Sequence, residues 1–324
     1  MRQMRAALLA GLWAVSAGSA LADLRVLTCE PEWAALVEVL GGDAVTVDSA
    51  TTGLQDPHRI QARPSLMARA RRADLLVCTG ADLEIGWLPL LLRQAANGRI
   101  QPGQPGYLMA SDYVTMLDVP ARLDRSEGDI HPYGNPHIHT DPRNISLVAN
   151  AVADRLVELD PANEVVYARG HEEFQARWSE AVQRWEQRAA PLSGMRVVVY
   201  HKSWVYLFTW LGIEEIAALE PKPGVPPSGA HLADVLGRVG LQPARAVLRA
   251  AYQDDRASQW LSEQANIPVL VLPFTVGGND AAVDLFTLFD ATLEQLLTVA
   301  ESGPCLDCAA RTNSGRQSGA ALLR

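Results

Sequence analysis

Residues 44–78 read AVTVDSATTG LQDPHRIQAR PSLMARARRA DLLVC. The stretch opens on a β-branched run, Ala44-Val-Thr-Val47, and closes on an apolar one, Ala73-Asp-Leu-Leu-Val-Cys78. Between them Pro64-Ser65 starts a helix that runs through Arg72, because proline is tolerated in a first helical turn and nowhere deeper. Strand, loop, helix and strand with short connections make a parallel βα unit, and exclude a sandwich or a bundle. The loop between strand and helix, Leu54-Gln-Asp-Pro-His-Arg-Ile-Gln-Ala-Arg-Pro-Ser65, carries one histidine, His58, behind the rigid Asp56-Pro57 pair.

The same alternation extends outward. On the N-terminal side, Leu24-Arg-Val-Leu-Thr-Cys29 reads as a strand and Glu32 to Leu40 as a helix stopped by Gly41-Gly42. On the other side, Gly80-Ala-Asp-Leu-Glu-Ile-Gly-Trp87 leads into a helix that ends near Gly98. From Val119 to Thr140 the chain is polar, rich in Gly and Pro, and holds three histidines; this predicts a long surface loop of the functional kind. Pro142 then opens a helix with apolar residues at Ile145, Val148, Val152 and Leu156, broken by Asp160-Pro-Ala-Asn163. A long amphipathic helix follows to about Ala190, with Tyr167, Phe174, Trp178, Val182 and Trp185 on one face.

Beyond it the alternation restarts. Met195–Tyr200, Ile213–Leu219, Ala246–Ala250 and Pro268–Pro273 read as strands. Trp204–Leu211, Ala230–Val239, Arg256–Ala265 and Ala282–Val299 read as helices. Four prolines between Glu220 and Ser228 forbid regular structure there. The expected layout is an N-terminal α/β lobe over 23–159, a linking helix over 160–191, a C-terminal α/β lobe over 192–310 and a polar tail over 311–324.

The chain has 324 residues, 48% hydrophobic and 20% charged, enough for two globular lobes. Its net charge of −9 argues against a nucleic-acid partner. The first 22 residues are a different text: Arg2 and Arg5, an apolar run from Ala6 to Ala17, then Ala20-Leu-Ala22. That pattern predicts a cleavable signal peptide and a mature chain that starts near Asp23 in the periplasm. The run is too short to span a bilayer comfortably, and no cysteine follows the cleavage site to take a lipid. Four cysteines suit an oxidising compartment and allow three pairings. Cys29 and Cys78 each end a strand-like run and can meet in a parallel sheet; Cys305 and Cys308 form a CxxC without a second ligand pair nearby. Two disulfides are the expectation.

Three histidines stand out by position. His58 follows the second strand, and His201 directly follows Val197-Val-Val-Tyr200, so both sit at carboxyl ends of strands, where open α/β folds bind ligands. His137 lies in Gly134-Asn-Pro-His-Ile-His-Thr-Asp-Pro142, which repeats the Asp/Asn-Pro-His form of His58 just before a helix start. Singly, each such histidine is more often a surface or core residue than a ligand. Together they point to one metal ion, and imidazole nitrogens favour zinc where oxygen sets favour manganese.

These motifs resemble, in order and across nearly the whole mature chain, the periplasmic zinc/manganese-binding proteins of ABC importers, the ZnuA-like metal solute-binding family. Asp56-Pro-His58 with Pro64-Ser65, Gly80-Ala-Asp-Leu-Glu84 with Trp87, Asn135-Pro-His137 with Asp141-Pro142, Asp160-Pro-Ala-Asn163 and Tyr200-His-Lys-Ser-Trp204 carry the resemblance. It implies two parallel-sheet α/β lobes joined by one rigid backbone helix, with the metal in the cleft between them. It also implies that His58, His137 and His201 are the ligands. The usual fourth ligand of the family is an acidic residue after the last strand, and here Pro273–Asp280 departs from that pattern. Asp280 is the available candidate, with helix capping by Asp280, or water as the ligand, as the competing readings. A histidine at 201 resembles the zinc importers, whereas a glutamate there goes with manganese. His131 and His139 fall where zinc-specific relatives carry an accessory metal-gathering loop; plain solvated histidines are the simpler alternative. His171 and His231 are expected to be structural.

The implied partners are a membrane permease with its ATPase and a periplasmic metallochaperone, the carrier being a monomer. Binding through deprotonated imidazoles should weaken as pH falls. A zinc-dependent hydrolase is the competing class, since His137-Ile-His139, His201, His231 and Asp280 loosely follow an amidohydrolase order. Against it, a Gly/Pro-rich loop precedes the His-x-His, and the second histidine that a zincin motif at His171 would need is Gln175. No residue offers itself as the base that catalytic zinc needs. A surface adhesin of the same fold would call for a lipid anchor.

Overall fold

A computed structural model describes residues 23–121 and 131–301. The expected signal segment, Cys305 and Cys308 and the expected polar tail lie outside the described residues. The first four strands are β1 (Leu24–Thr28), β2 (Val45–Ser49), β3 (Leu75–Cys78) and β4 (Tyr107–Met109). They form one parallel sheet in the order β2-β1-β3-β4. The second half repeats the plan: β5 (Arg196–Val199), β6 (Glu214–Ala218), β7 (Ala246–Ala250) and β8 (Val269–Leu272) make a parallel sheet in the order β6-β5-β7-β8. In each lobe the chain reverses direction across the sheet between the two central strands, and the crevice at their carboxyl ends is where such folds hold ligands.

Helices α1 (Pro31–Gly41), α2 (Pro64–Arg72), α3 (Leu88–Ala95) and α4 (Pro142–Leu159) belong to the first half. Then α5 (Glu164–Ala189), 26 residues without a break, leads to the second lobe with α6 (Val205–Leu211), α7 (Gly229–Leu241), α8 (Arg256–Ala265) and α9 (Leu285–Glu301). The expected helical reading of 164–189 holds through Gly170, because that glycine faces the end of α1. A Cβ there would stand 2.3 Å from the Leu40 carbonyl oxygen.

Alternating faces of each sheet go to different cores. Leu27, Leu76 and Cys78 pack under α2 and α3, and Val198 and Val247 pack with α7 and α8 residues Val235, Val239 and Leu261. The opposite faces, with Val26, Leu75 and Val77 from one sheet and Val197, Val199 and Leu248 from the other, join a single core. That core is completed by Trp33 of α1, Val148 of α4, Phe174 and Trp178 of α5, and Phe289 of α9. The two lobes therefore share apolar interior. Trp178 donates its indole N–H to the Pro142 carbonyl at 2.8 Å and Trp185 donates to Asp290 at 2.8 Å, so α5 is tied to both halves.

Cys29 and Cys78 form the expected meeting at the ends of β1 and β3 and are disulfide-bonded. The predicted surface loop over 119–140 is only partly so. From Gly134 to Thr140 every residue is buried, folded between α4 and the second lobe. Apolar periodicity is the signal for burial, and this segment buries itself through hydrogen bonds instead. The three-residue strand β4 has no signature of its own in the sequence.

Candidate metal centre

Three loops, each leaving a different part of the chain, bring His58, His137 and His201 together. Their ligand nitrogens all lie within 4.8 Å of one another. The ring centroids are 5.6 Å apart for His58 and His137, 5.7 Å for His58 and His201, and 5.3 Å for His137 and His201. The rings meet edge to face.

The Asx-Pro-His form has a direct structural use. Asp56 Oδ1 accepts the His58 backbone N–H at 3.0 Å and faces the ring Nδ1 at 2.8 Å. Asn135 Oδ1 does the same for His137, at 3.0 Å and 2.8 Å. An Asx turn needs its oxygen two residues before the N–H it accepts, and the intervening proline fixes φ and adds no competing donor. One oxygen thus sets both backbone and ring. His201 obtains the same arrangement from a distance: Glu220 Oε2 lies 2.7 Å from its Nδ1 and also accepts the Gly224 N–H at 3.0 Å. An amide oxygen such as that of Asn135 only accepts, so the His137 Nδ1 carries the proton and its Nε2 carries the lone pair; the carboxylates favour the same tautomer in the other two rings. The Nε2 atoms of His58 and His137 are buried and have no hydrogen-bond partner.

Charge follows the geometry. Burial alone would raise the Asp56 carboxyl, but the hydrogen bond and charge of His58 outweigh it and hold Asp56 below its usual range. Burial, followed by the neighbouring His201 and His58, depresses His137 well below an ordinary histidine, so its imidazole is neutral in the folded protein. Further bonds fix the loops: Trp87 donates to the Pro57 carbonyl at 2.9 Å, Asn135 donates to the Lys202 carbonyl at 2.8 Å, and Tyr206 donates to the Asn135 carbonyl at 2.7 Å. The last two span 67 and 71 residues of sequence and couple the His137 loop to the His201 side of the cleft.

The remaining candidates separate. His131 lies beside the cluster, with its ring 5.3 Å from that of His58, but is not among the residues whose ligand atoms meet. His139, two residues from His137, points the other way. It is 1% exposed, its Nδ1 is 3.2 Å from Glu32 of α1, and its Nε2 lies 2.9 Å from the Phe274 carbonyl. It joins α1 to the loop after β8 and is no solvated loop histidine. Asp280 is solvent-exposed and is not among the residues whose ligand atoms meet. Nor does it cap α9; Asp284 does that, accepting the Thr287 N–H at 2.7 Å. From that loop it is the Phe274 ring that meets His137, at 5.4 Å. His171 and His231 sit away from the cleft, against Asn150 and the Ala218 carbonyl. A second group, Cys29, Cys78 and Glu84, also lies close enough for a metal, but both sulfurs are held in the disulfide.

Two parallel α/β lobes over a shared helical core, with three imidazoles gathered in the cleft between them, define the architecture of a metal-binding solute receptor. The family model described as "Zinc-uptake complex component A periplasmic" matches residues 26–299, and the chain belongs to that family. Among curated relatives, the "Manganese ABC transporter substrate-binding lipoprotein PsaA" of Streptococcus pneumoniae is 24% identical over 83% of this chain and 86% of its own. The "High-affinity zinc uptake system protein ZnuA" of Paracoccus denitrificans is 25% identical over 72% of this chain and 77% of its own. A crystal structure of ZnuA has the same fold, with a TM-score of 0.72 at 22% identity over 86% of this chain and 100% of that one. A manganese-bound periplasmic metal-binding protein from Candidatus Liberibacter asiaticus superposes with a TM-score of 0.69 at 18% identity, with the same coverages.

Proposed function

We propose that the protein is the periplasmic zinc-binding component of an ABC importer, with His58, His137 and His201 as ligands. One observation carries the reading: imidazoles from three separate loops converge with their Nδ1 atoms held by Asp56, Asn135 and Glu220, while the buried Nε2 atoms of His58 and His137 have no partner. Buried polar atoms are rarely left unmatched in a fold that gains nothing by it. Three lone pairs aimed at one point are a cation's coordination shell. Nitrogen donors favour zinc, and the oxygen behind each ring raises its basicity, as outer-shell partners of zinc histidines do. Manganese is the second reading, supported by the manganese transporters among the relatives. The relatives' names support a carrier over a hydrolase, and a carrier of this family works with a membrane permease and its ATPase.

The test is a competition titration of the metal-free protein with zinc and with manganese. Tight binding of one zinc, with manganese displaced, is expected. His58→Ala, His137→Ala and His201→Ala should each weaken zinc by more than the ~10–100-fold typical of losing an outer-shell partner. An unchanged affinity in any one removes that residue from the site, and preference for manganese reverses the choice of ion.

A further inference from the structure

The ends of β1 and β3 hold a corner that metal carriage at the cleft does not use. The strand register pairs Thr28 with Val77, so Cys29 and Cys78 follow as neighbours on two parallel strands, with Cα atoms 4.7 Å apart. Beyond Cys78 the chain doubles back through Gly80, Ala81 and Asp82, all with positive φ, at 81°, 51° and 64°. That reversal returns Glu84 to the strand end, where its carboxyl accepts the N–H groups of Thr79 at 2.8 Å and Gly80 at 3.1 Å. The two sulfurs and a Glu84 oxygen all lie within 4.8 Å of one another, and all three residues are buried.

Charge and access set this corner apart from a plain structural disulfide. Glu30, beside Cys29, is buried as well. Its Oε2 accepts the Thr79 N–H at 3.2 Å and the Thr79 hydroxyl at 3.0 Å, while its Oε1 has no hydrogen-bond partner. Among the described residues, no basic side chain pairs with Glu30 or Glu84. Buried carboxyls are matched by a cation or by a proton, and an uncharged disulfide supplies neither. As for access, a cavity of about 380 Å³ is lined by Glu84 together with Asp82 and Asp112, and none of its lining residues is basic. The exposed Ile85 and Tyr133 also line it, so a cation has an acidic path from solvent to Glu84.

We propose that Cys29, Cys78 and Glu84 form a second metal site once the disulfide is reduced, taking a thiophilic divalent cation such as zinc. A thiolate of a dithiol reductant attacks one sulfur, and the other leaves with the bonding pair and takes up a proton. The reductant's second thiolate then displaces the first protein sulfur, which is protonated in turn, and the reductant closes to its own disulfide. Zinc replaces the two thiol protons, which pass to solvent, and Glu84 coordinates as the carboxylate. A zinc–sulfur bond is about 2.3 Å, so a tetrahedral ion holds its two sulfurs about 3.8 Å apart. Rotation of the two side chains provides that separation while the strand ladder stays in place. Thiolates select softer ions than oxygen ligands do. The corner is thereby cross-linked in both redox states, and the chain takes up one ion more when reduced than when oxidised.

The site is independent of the cleft histidines, so it is tested in a His137→Ala background, with Cys305→Ser and Cys308→Ser removing the other thiols. The chain is unfolded with a phosphine reductant, refolded without oxygen, freed of reductant and titrated with cobalt(II), then with zinc. One cobalt is expected to bind with the near-ultraviolet charge-transfer band of thiolate ligation, and zinc should displace it. The band should be absent from the oxidised protein taken through the same steps without reductant, and lost in Cys78→Ser. Glu84→Gln should keep the thiols but lower cobalt affinity at least tenfold and shift the visible d–d bands. A reduced protein that refolds without the band overturns the proposal. So does one that stays unfolded with zinc present while the oxidised control refolds. A band and affinity unchanged in Glu84→Gln would leave only a dithiol chelate and remove Glu84 from the site.

Discussion

At the scale of single residues, the cleft is specified by oxygen atoms as much as by histidines. Asp56, Asn135 and Glu220 each commit one oxygen to an Nδ1, and none faces the cluster as a ligand itself. Replacing them should act through ring orientation and basicity. Asn135→Ala is expected to weaken zinc binding by ~10–100-fold with four-coordinate geometry retained, because the ring keeps its lone pair but loses its anchor. Asn135→Asp should weaken it less, since a carboxylate accepts the same two hydrogen bonds and adds negative charge, although it gives up the donor to the Lys202 carbonyl. Isothermal titration of the two variants checks the pair; equal weakening in both would mean that the loop, not the ring, had been disturbed. Two of these anchors were legible in the sequence, because an Asx oxygen acts on the residue two further on. Glu220 was not. It lies 19 residues from His201 and reaches it only because β5 and β6 are adjacent strands. Nor did the sequence separate His131, which lies beside His58, from His139, which turns away to Glu32 and the Phe274 carbonyl.

At the scale of elements, the ends of β1 and β3 gather more buried acid than a binding cleft requires. Glu30 and Glu84 are both fully buried and hydrogen-bonded to each other, beside the Cys29–Cys78 disulfide. Burial raises both carboxyls, Glu30 further through the charges of Glu84 and Glu32, and Glu84 stands at about 7. The sign follows from linkage. A carboxyl whose pKa is 4.5 unfolded and about 7 folded binds more protons in the folded state across that interval. Its contribution to stability is present below the lower value and is lost as pH rises through the upper one. Glu84→Gln keeps the acceptor for Thr79 and Gly80 and supplies a permanent donor to Glu30. The variant should melt with the wild type at pH 5 and several degrees above it at pH 8, given ~2–4 °C per kcal/mol for a protein of this size. A Tm difference that does not change with pH overturns the assignment. The disulfide stabilises the same corner separately and more strongly. Closing a separation of 49 residues is worth about 4 kcal/mol in the loop-entropy account, so Cys29→Ser with Cys78→Ser should lower Tm at every pH alike. Parallel strands and their helices could be read from alternation alone. The buried run from Gly134 to Thr140 could not, since its residues are those of a loop and its burial comes from tertiary hydrogen bonds.

At the scale of the molecule, the question is how far two lobes can part to admit an ion. Carriers that clamp a ligand by wide closure connect their lobes through strands or loops that absorb large φ/ψ changes. Here the connection is α5, whose Phe174 and Trp178 rings are stacked at 5.1 Å and whose Trp178 and Trp185 rings meet at 5.2 Å, all three within the core that both sheets share. Opening the cleft widely would pull Val26 and Val77 away from that core on one side, or Val197 and Leu248 on the other, and expose apolar area at about 25 cal/mol per Å². Parting even about 400 Å² would then cost about 10 kcal/mol, as much as the whole stability of a typical domain. The ion must therefore enter through movement of the loops that carry the histidines, while the lobes stay in register. Small-angle scattering of the metal-free and zinc-loaded protein should give radii of gyration that agree to within about 1 Å, the scale of backbone shift in preorganised complexes. Hydrogen exchange should meanwhile show protection gained at 54–60, 80–84 and 131–141 and little change along α5. A large contraction on zinc binding, or α5 amides that become protected with the loops, would show that the shared core opens after all.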